Sequence, residues 1–129
     1  MQWDASEFAG FTTGEPWLSI PANHSYINVE TEEKDEDSIL AYYKKLVQLR
    51  KDHEIIADGD IHFLETGTDD VIAYERTLGE EKLTVYCSLR GYEVPFANMA
   101  KGNVLISNYE VGELKDNALK PYEARVIVA

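Results

Sequence analysis

The sequence predicts a mainly β fold: a C-terminal antiparallel β-sandwich, preceded by one α-helix and a long aromatic-rich loop. Three observations carry that expectation. Residues 60–129 break into six or so short runs of β-branched and aromatic residues, separated by turn-rich clusters. Residues 35–52 repeat apolar side chains at helical spacing. Residues 1 to about 34 follow no sustained period, yet hold Trp3, Phe8, Phe11, Trp17 and Tyr26 among Gly10, Gly14, Pro16 and Pro21.

The elements follow in order. A structureless connection as long as the first region is uncommon and often functional, and its aromatics need a surface to bury against. In the helix, Ile39, Tyr43, Leu46 and Arg50 keep the 3–4 spacing, and Leu40 and Val47 widen the apolar stripe. Asp35 or Asp37 is expected to cap its first amides, with Glu36 adding favourable charge. Lys44, Lys45, Arg50 and Lys51 complement the dipole at the other end. The predicted strands are Ile61–Leu64, Val71–Arg76, Leu83–Leu89, Tyr92–Phe96, Val104–Ile106 and Ala124–Val128. Leu83, Val85, Cys87 and Leu89 are expected to point inward. Pro95 cannot donate to a ladder, so its strand belongs at an edge.

Charge excludes several functions. Twenty-four Asp and Glu against twelve Lys and Arg give a net charge of −12. Nucleic acid and anionic membranes both demand a basic surface, so neither is expected as a partner. The acidic surface has a plain role in solubility. No apolar run is long enough to span a bilayer, and Met1-Gln2-Trp3-Asp4 lacks the basic start and apolar core of a signal peptide. With one cysteine, Cys87, no intrachain disulfide is possible. A soluble chain in a reducing compartment, the cytoplasm, is expected.

The residues assemble no self-sufficient chemistry. His24, His53 and His62 lack metal-ligand spacing, so no metal is expected, and no phosphate-binding or dinucleotide motif calls for a cofactor. Asp69-Asp70 and Glu80-Glu81 fall in predicted turns, where solvation keeps carboxyls ordinary, and the acidic run Glu30–Asp37 reads as a solvated helix start. Trp3 and Trp17 offer flat faces for sugars, but large aromatics first of all bury area.

The first region is also the most specific. Met1-Gln2-Trp3-Asp4, Ala9-Gly10-Phe11-Thr12-Thr13-Gly14-Glu15-Pro16-Trp17 and Tyr26-Ile27-Asn28-Val29-Glu30 resemble, in order and spacing, segments of intracellular α-glucosidases of glycoside hydrolase family 13. Asp37–Lys51, Leu105-Ile106-Ser107-Asn108-Tyr109 and Leu119-Lys120-Pro121-Tyr122-Glu123-Ala124 extend the resemblance over nearly the whole chain. It is greatest to oligo-1,6-glucosidases, dextran glucosidases and trehalose-6-phosphate hydrolases.

The resemblance implies a fold and a role. Residues 1–54 would be a remnant of a (β/α)₈ catalytic barrel, comprising its last βα loop and eighth helix, and residues 55–129 the C-terminal β-sandwich domain. The family's nucleophilic Asp, acid/base Glu and second essential Asp would fall upstream of Met1, so no catalytic residue is expected here. Gln2, Trp3 and Phe11 are the substrate-proximal candidates, because barrel active sites lie on the loops after the strands. The parent would hydrolyse α-1,6 or α-1,4 bonds of short oligosaccharides with retention, which needs two carboxyl groups. The partners implied are the rest of the barrel and, through it, the oligosaccharide. A free-standing carbohydrate-binding module and a self-associating module, such as a homodimer covering the helix stripe, are the alternatives.

Overall fold

Local hydrogen bonding organises the first region. The computed structural model describes all 129 residues, in two compact units, Met1–Asp52 and His53–Ala129. In the first, residues Ala22–Ser25 form a single 3₁₀ turn and Val29–Glu32 a one-turn helix, α1. Asn28 makes α1 possible. Its side-chain oxygen accepts from the Thr31 amide at 2.9 Å, and its amide donates to the His24 carbonyl at 2.8 Å. The expected loop is thus a folded, hydrogen-bonded segment.

Helix α2 spans Ile39–Asp52, four residues shorter at its start than the spacing predicts. Ser38 caps it, not Asp35 or Asp37. The Ser38 hydroxyl accepts from the Ala41 amide at 3.1 Å and donates to the Glu32 carbonyl at 2.7 Å. The Glu32 carboxylate takes the Leu40 amide at 3.1 Å. Asp35 instead closes a turn on the Asp37 amide. Side-chain acceptors satisfy the orphan donors of a helix start. Ser38→Ala should therefore destabilise the first unit by about 1 kcal/mol, read from urea unfolding by circular dichroism.

The expected apolar stripe of α2 is not buried. No residue of the helix is buried; Ile39 is 82% exposed, and Tyr43, Leu46 and Val47 also face solvent. Four of the five aromatics of the first region behave alike: Trp17 is 91% exposed, and Trp3, Phe11 and Tyr26 are exposed too, while Phe8 is half-buried. The N-terminal segment does not cover the stripe.

The second unit holds a short helix, α3 (Glu54–Asp58), absent from the sequence expectation, and seven strands. These are β1 (Asp60–Phe63), β2 (Val71–Leu78), β3 (Glu81–Ser88), β4 (Val94–Pro95), β5 (Asn103–Ser107), β6 (Ala118–Leu119) and β7 (Ala124–Val128). Five form an antiparallel sheet in the order β1-β2-β3-β7-β5, and β4 pairs with β6 in a two-stranded ribbon. Strands β2 and β3 meet in a two-residue turn, Gly79–Glu80, in which Gly79 has φ +61°. A glycine at the first turn position suits a tight hairpin, since other residues resist that backbone. Pro95 sits in the small ribbon, consistent with its missing donor.

Both faces of the five-stranded sheet are apolar. On one, Val71, Ala73, Tyr86 and Ile127 bury with Val94 and Leu119 of the ribbon. On the other, Leu83 and Val85 bury with Ile55 of α3, and Tyr74, Leu78, Cys87, Leu105 and Val126 pack around them. Arg76 ties α3 down through the Ile55 carbonyl at 2.9 Å and the Gly59 carbonyl at 2.7 Å.

This two-faced burial corrects the inward row predicted for β3. Thr84, Tyr86 and Ser88 are buried along with Leu83 and Val85, while Leu89 lies beyond the strand and is exposed. Phe63, within the predicted strand Ile61–Leu64, is 75% exposed on an edge strand with no buried residue.

Candidate functional site

The segment carrying Gln2, Trp3 and Phe11 is built on a tight turn. The Trp3 amide donates to the Ala9 carbonyl at 2.8 Å. Within that loop the Asp4 carboxylate accepts from the Ser6 amide, at 2.9 Å, and from the Ser6 hydroxyl, whose oxygen in turn accepts from the Gly10 amide at 3.0 Å. Ala9 and Gly10 both have left-handed backbones, with φ +52° and +64°, and Ala9 is buried. A Cβ on Gly10 would lie 2.5 Å from Asp4 Oδ2. Glycine is therefore required twice over, by backbone and by space. Gly10→Ala should cost about 1–3 kcal/mol, and proteolysis between residues 4 and 10 should accelerate; unchanged cleavage kinetics would contradict the tight turn.

The bonds from Ser6, first its hydroxyl and then its amide, hold the Asp4 carboxyl below the ordinary carboxylate range. Because the folded-state value is depressed, the contribution is present above the unfolded pKa and lost as pH falls through the folded value, below 3.8. Acidification should loosen this turn only at such pH; an NMR titration of the Ser6 amide reads it. A general acid at neutral pH needs the opposite shift.

Gln2 has a structural task. Its amide nitrogen donates to Asn23 Oδ1 at 3.1 Å and to the Ile27 carbonyl at 3.0 Å. Its backbone carbonyl accepts from Val29, and that of Trp3 from Glu30, both at the start of α1. These bonds pin the first residues to the segment before α1. Gln2 and Phe11 line a cleft of about 290 Å³ whose walls are mainly apolar, including Phe8, Pro16, Trp17 and Ile20. Trp3 does not line it. The structure thus brings Gln2 and Phe11 together and leaves Trp3 outside. Asn23 and Ser6, which shape the segment, escaped the sequence reading, and Asn28 entered it only within the stretch Tyr26–Glu30, without its capping role. The Asn28–Thr31 spacing of a helix cap was the available signal.

The other titratable groups form no second centre. No group of three or more His, Cys, Asp or Glu is placed to hold a metal ion. His24 Nδ1 lies 3.0 Å from the Pro21 carbonyl, and His62 is exposed on β1. Burial pushes the Cys87 thiol up, which suppresses the thiolate. No helix is long and apolar enough to cross a membrane.

The chain as a whole has counterparts among known proteins. Residues 1–59 match the family described as alpha amylase, catalytic domain. The chain is 41% identical over 98% of its length to an oligo-1,6-glucosidase of Bacillus cereus. It is 37% identical, also over 98%, to a trehalose-6-phosphate hydrolase of Bacillus subtilis (strain 168). In each case it spans 24% of the relative, so the chain covers about a quarter of the length of the curated relatives it matches.

Solved structures agree. The chain superposes on trehalose-6-phosphate hydrolase of Bacillus licheniformis with TM-score 0.87 at 37% identity, covering 98% of this chain and 24% of that one. With isomaltulose synthase of Klebsiella sp. LX3 the TM-score is 0.90 at 35% identity and the same coverage. The likeness to glucosidases thus takes in both units, including the sheet beyond residue 59.

Proposed function

We propose that this chain is the noncatalytic C-terminal quarter of a retaining α-glucosidase of glycoside hydrolase family 13. The observation that carries the reading is the extent of the likeness: 98% of the chain, through both units, aligns with glucosidases at about 40% identity. Residues 1–54 then supply the last βα loop and eighth helix of the catalytic barrel, and residues 55–129 its C-terminal β-sandwich. The exposed apolar side chains of α2, Ile39, Tyr43, Leu46 and Val47, fit a helix whose cover is the rest of that barrel. A 14-residue helix with none of its side chains buried has little tertiary support of its own.

In this reading no residue here is the nucleophile or the acid/base. Gln2 and Phe11 stand near the sugar through the cleft they share, and Gln2 positions the loop through Asn23 and Ile27. Trp3, outside the cleft, serves as a loop anchor rather than a sugar platform. The substrate is a short α-1,6- or α-1,4-linked oligosaccharide, and the single free cysteine suits a cytoplasmic enzyme.

The test has two parts. The 129-residue chain should release no product from 4-nitrophenyl α-glucoside, and an immunoblot of the native gene product should show a band several-fold larger than 14.6 kDa. Turnover by the chain alone, or a native band at 14.6 kDa, would overturn the reading.

The bare stripe of α2 also favours a second reading, self-association of the chain. Sedimentation velocity discriminates: a dimer dispersed by Ile39→Asp and Leu46→Asp supports it, and a monomer removes it.

A further inference from the structure

Among the exposed aromatics, Tyr122 stands apart because its backbone is strained. Its φ is +52°, a left-handed conformation that a bulky residue adopts only at a cost. The neighbouring structure enforces it. The Tyr122 amide donates to the Arg90 carbonyl at 2.8 Å, and its carbonyl accepts from Asn108 Nδ2 at 3.0 Å. Glycine would take the same backbone freely. Burial does not compensate the strain either, because Tyr122 is 65% exposed. What the tyrosine adds over glycine is a ring on a fixed stem, lying along Gly91 and still largely open to solvent.

The surroundings of that ring are specific. It lies over Gly91, where a Cβ would come within 3.1 Å of the Tyr122 hydroxyl and 3.4 Å of two ring carbons. The next residue, Tyr92, is also exposed, and its hydroxyl donates to Asp70 Oδ2 at 3.3 Å. Asp70 Oδ1 accepts from Arg90 Nε at 2.7 Å. The Asp70 bonds raise the Arg90 guanidinium above its ordinary value, so it stays charged. The exposed Tyr92 is thus bonded to a fixed, partly exposed carboxylate–guanidinium pair, and the exposed Tyr122 ring lies over Gly91, between Arg90 and Tyr92 in the chain, on a segment tied down by the Leu89 amide on the Asp70 carbonyl at 2.9 Å.

The chemistry of this cluster selects its ligand. The aromatic faces accept an apolar, flat-sided partner. Arg90 offers further N–H donors beyond Nε, and the Asp70 carboxylate retains acceptor capacity, so adjacent hydroxyls can be bound in pairs. Asp70 and the net charge of −12 oppose a polyanion. A neutral polyol with an apolar ring face meets all these conditions. We propose that Tyr92 and Tyr122, with Asp70 and Arg90, form a binding platform for a neutral oligosaccharide on the second unit. The proposal goes beyond the glucosidase reading and does not require it, since every residue belongs to His53–Ala129.

The test is an NMR titration of the ¹⁵N-labelled 129-residue chain with maltoheptaose, isomaltoheptaose and, as an anionic control, a heparin oligosaccharide. Saturable shifts centred on Asp70, Arg90, Gly91, Tyr92 and Tyr122 are expected with one or both α-glucans and none with heparin. Tyr122→Gly should weaken binding at least about tenfold while the thermal midpoint holds or rises, because glycine relieves the left-handed backbone. Tyr92→Phe should keep most of the affinity, and Asp70→Asn should lose part of it. The proposal is overturned by an absence of saturable shifts, by shifts confined to Met1–Asp52, or by undiminished binding in Tyr122→Gly. Equal response to heparin also overturns it.

Discussion

Replacing Glu123 with alanine is expected to lower the stability of the second unit by about 3–5 kcal/mol, the cost of stranding its buried partner. Glu123 is completely buried and Arg125 is 3% exposed. Arg125 Nε donates to Glu123 Oε1 at 2.7 Å, and Nη1 reaches the Lys115 carbonyl at 3.0 Å. The other carboxylate oxygen accepts the Lys120 amide at 2.8 Å. The pair thus joins the start of β7 to the chain before β6 and to the turn between β6 and β7. Without Glu123, a guanidinium remains in a site with no counter-charge, and its desolvation is uncompensated. Urea unfolding followed by tryptophan-independent far-UV circular dichroism measures the loss. The double replacement Glu123→Leu, Arg125→Met removes both charges and should recover most of it, because a buried pair contributes little over well-packed apolar groups. A single variant within about 1 kcal/mol of the starting protein would show that water reaches the guanidinium.

Leu119→Ala should cost about 2–5 kcal/mol, the range for deleting a large buried side chain. Leu119 has no exposed surface and sits in the ribbon formed by β4 and β6. It packs with Val71, Ala73, Tyr86, Val94 and Ile127, so it fixes the ribbon on one face of the five-stranded sheet. The ribbon has only two paired positions, Val94 with Leu119 and Pro95 with Ala118. Its attachment therefore depends on side-chain burial more than on backbone pairing. The same unfolding experiment should give a change of no more than about 0.5 kcal/mol for Leu89→Ala, whose side chain is exposed. Equal losses for the two would mean that Leu119 does not hold the ribbon.

Much of the fold was legible where the signal is local. The hairpin of β2 and β3 turned at Gly79, and β7 carried the apolar run Val126–Val128. Helix α2 followed its 3–4 spacing. Its first turn did not, because Asp35 and Asp37 both offered caps and only the fold showed Ser38 taking the role. The ribbon strand Ala118–Leu119 was missed because two residues carry no period. In the candidate site, the motif drew attention to Gln2, Trp3 and Phe11, but residue type could not separate them. The hydrogen bonds it donates to Asn23 and Ile27 made Gln2 a structural tie, and the cleft took in Phe11 and left out Trp3.

Charge, the helix position, the strand-rich second half and the turn glycines were determined by the sequence alone, since each depends on residues adjacent along the chain. Which surfaces are buried was decided only by the tertiary structure. Thr84 and Ser88 are buried although polar, Ile39 and Phe63 are exposed although apolar, and Glu123 and Arg125 are buried as a pair. Burial depends on partners distant in sequence: the ribbon covers one face of β3 and α3 the other, while α2 and edge strand β1 bury none of their side chains. Periodicity records only how side chains alternate, so it sets the faces of an element and leaves to packing the choice of which face meets water.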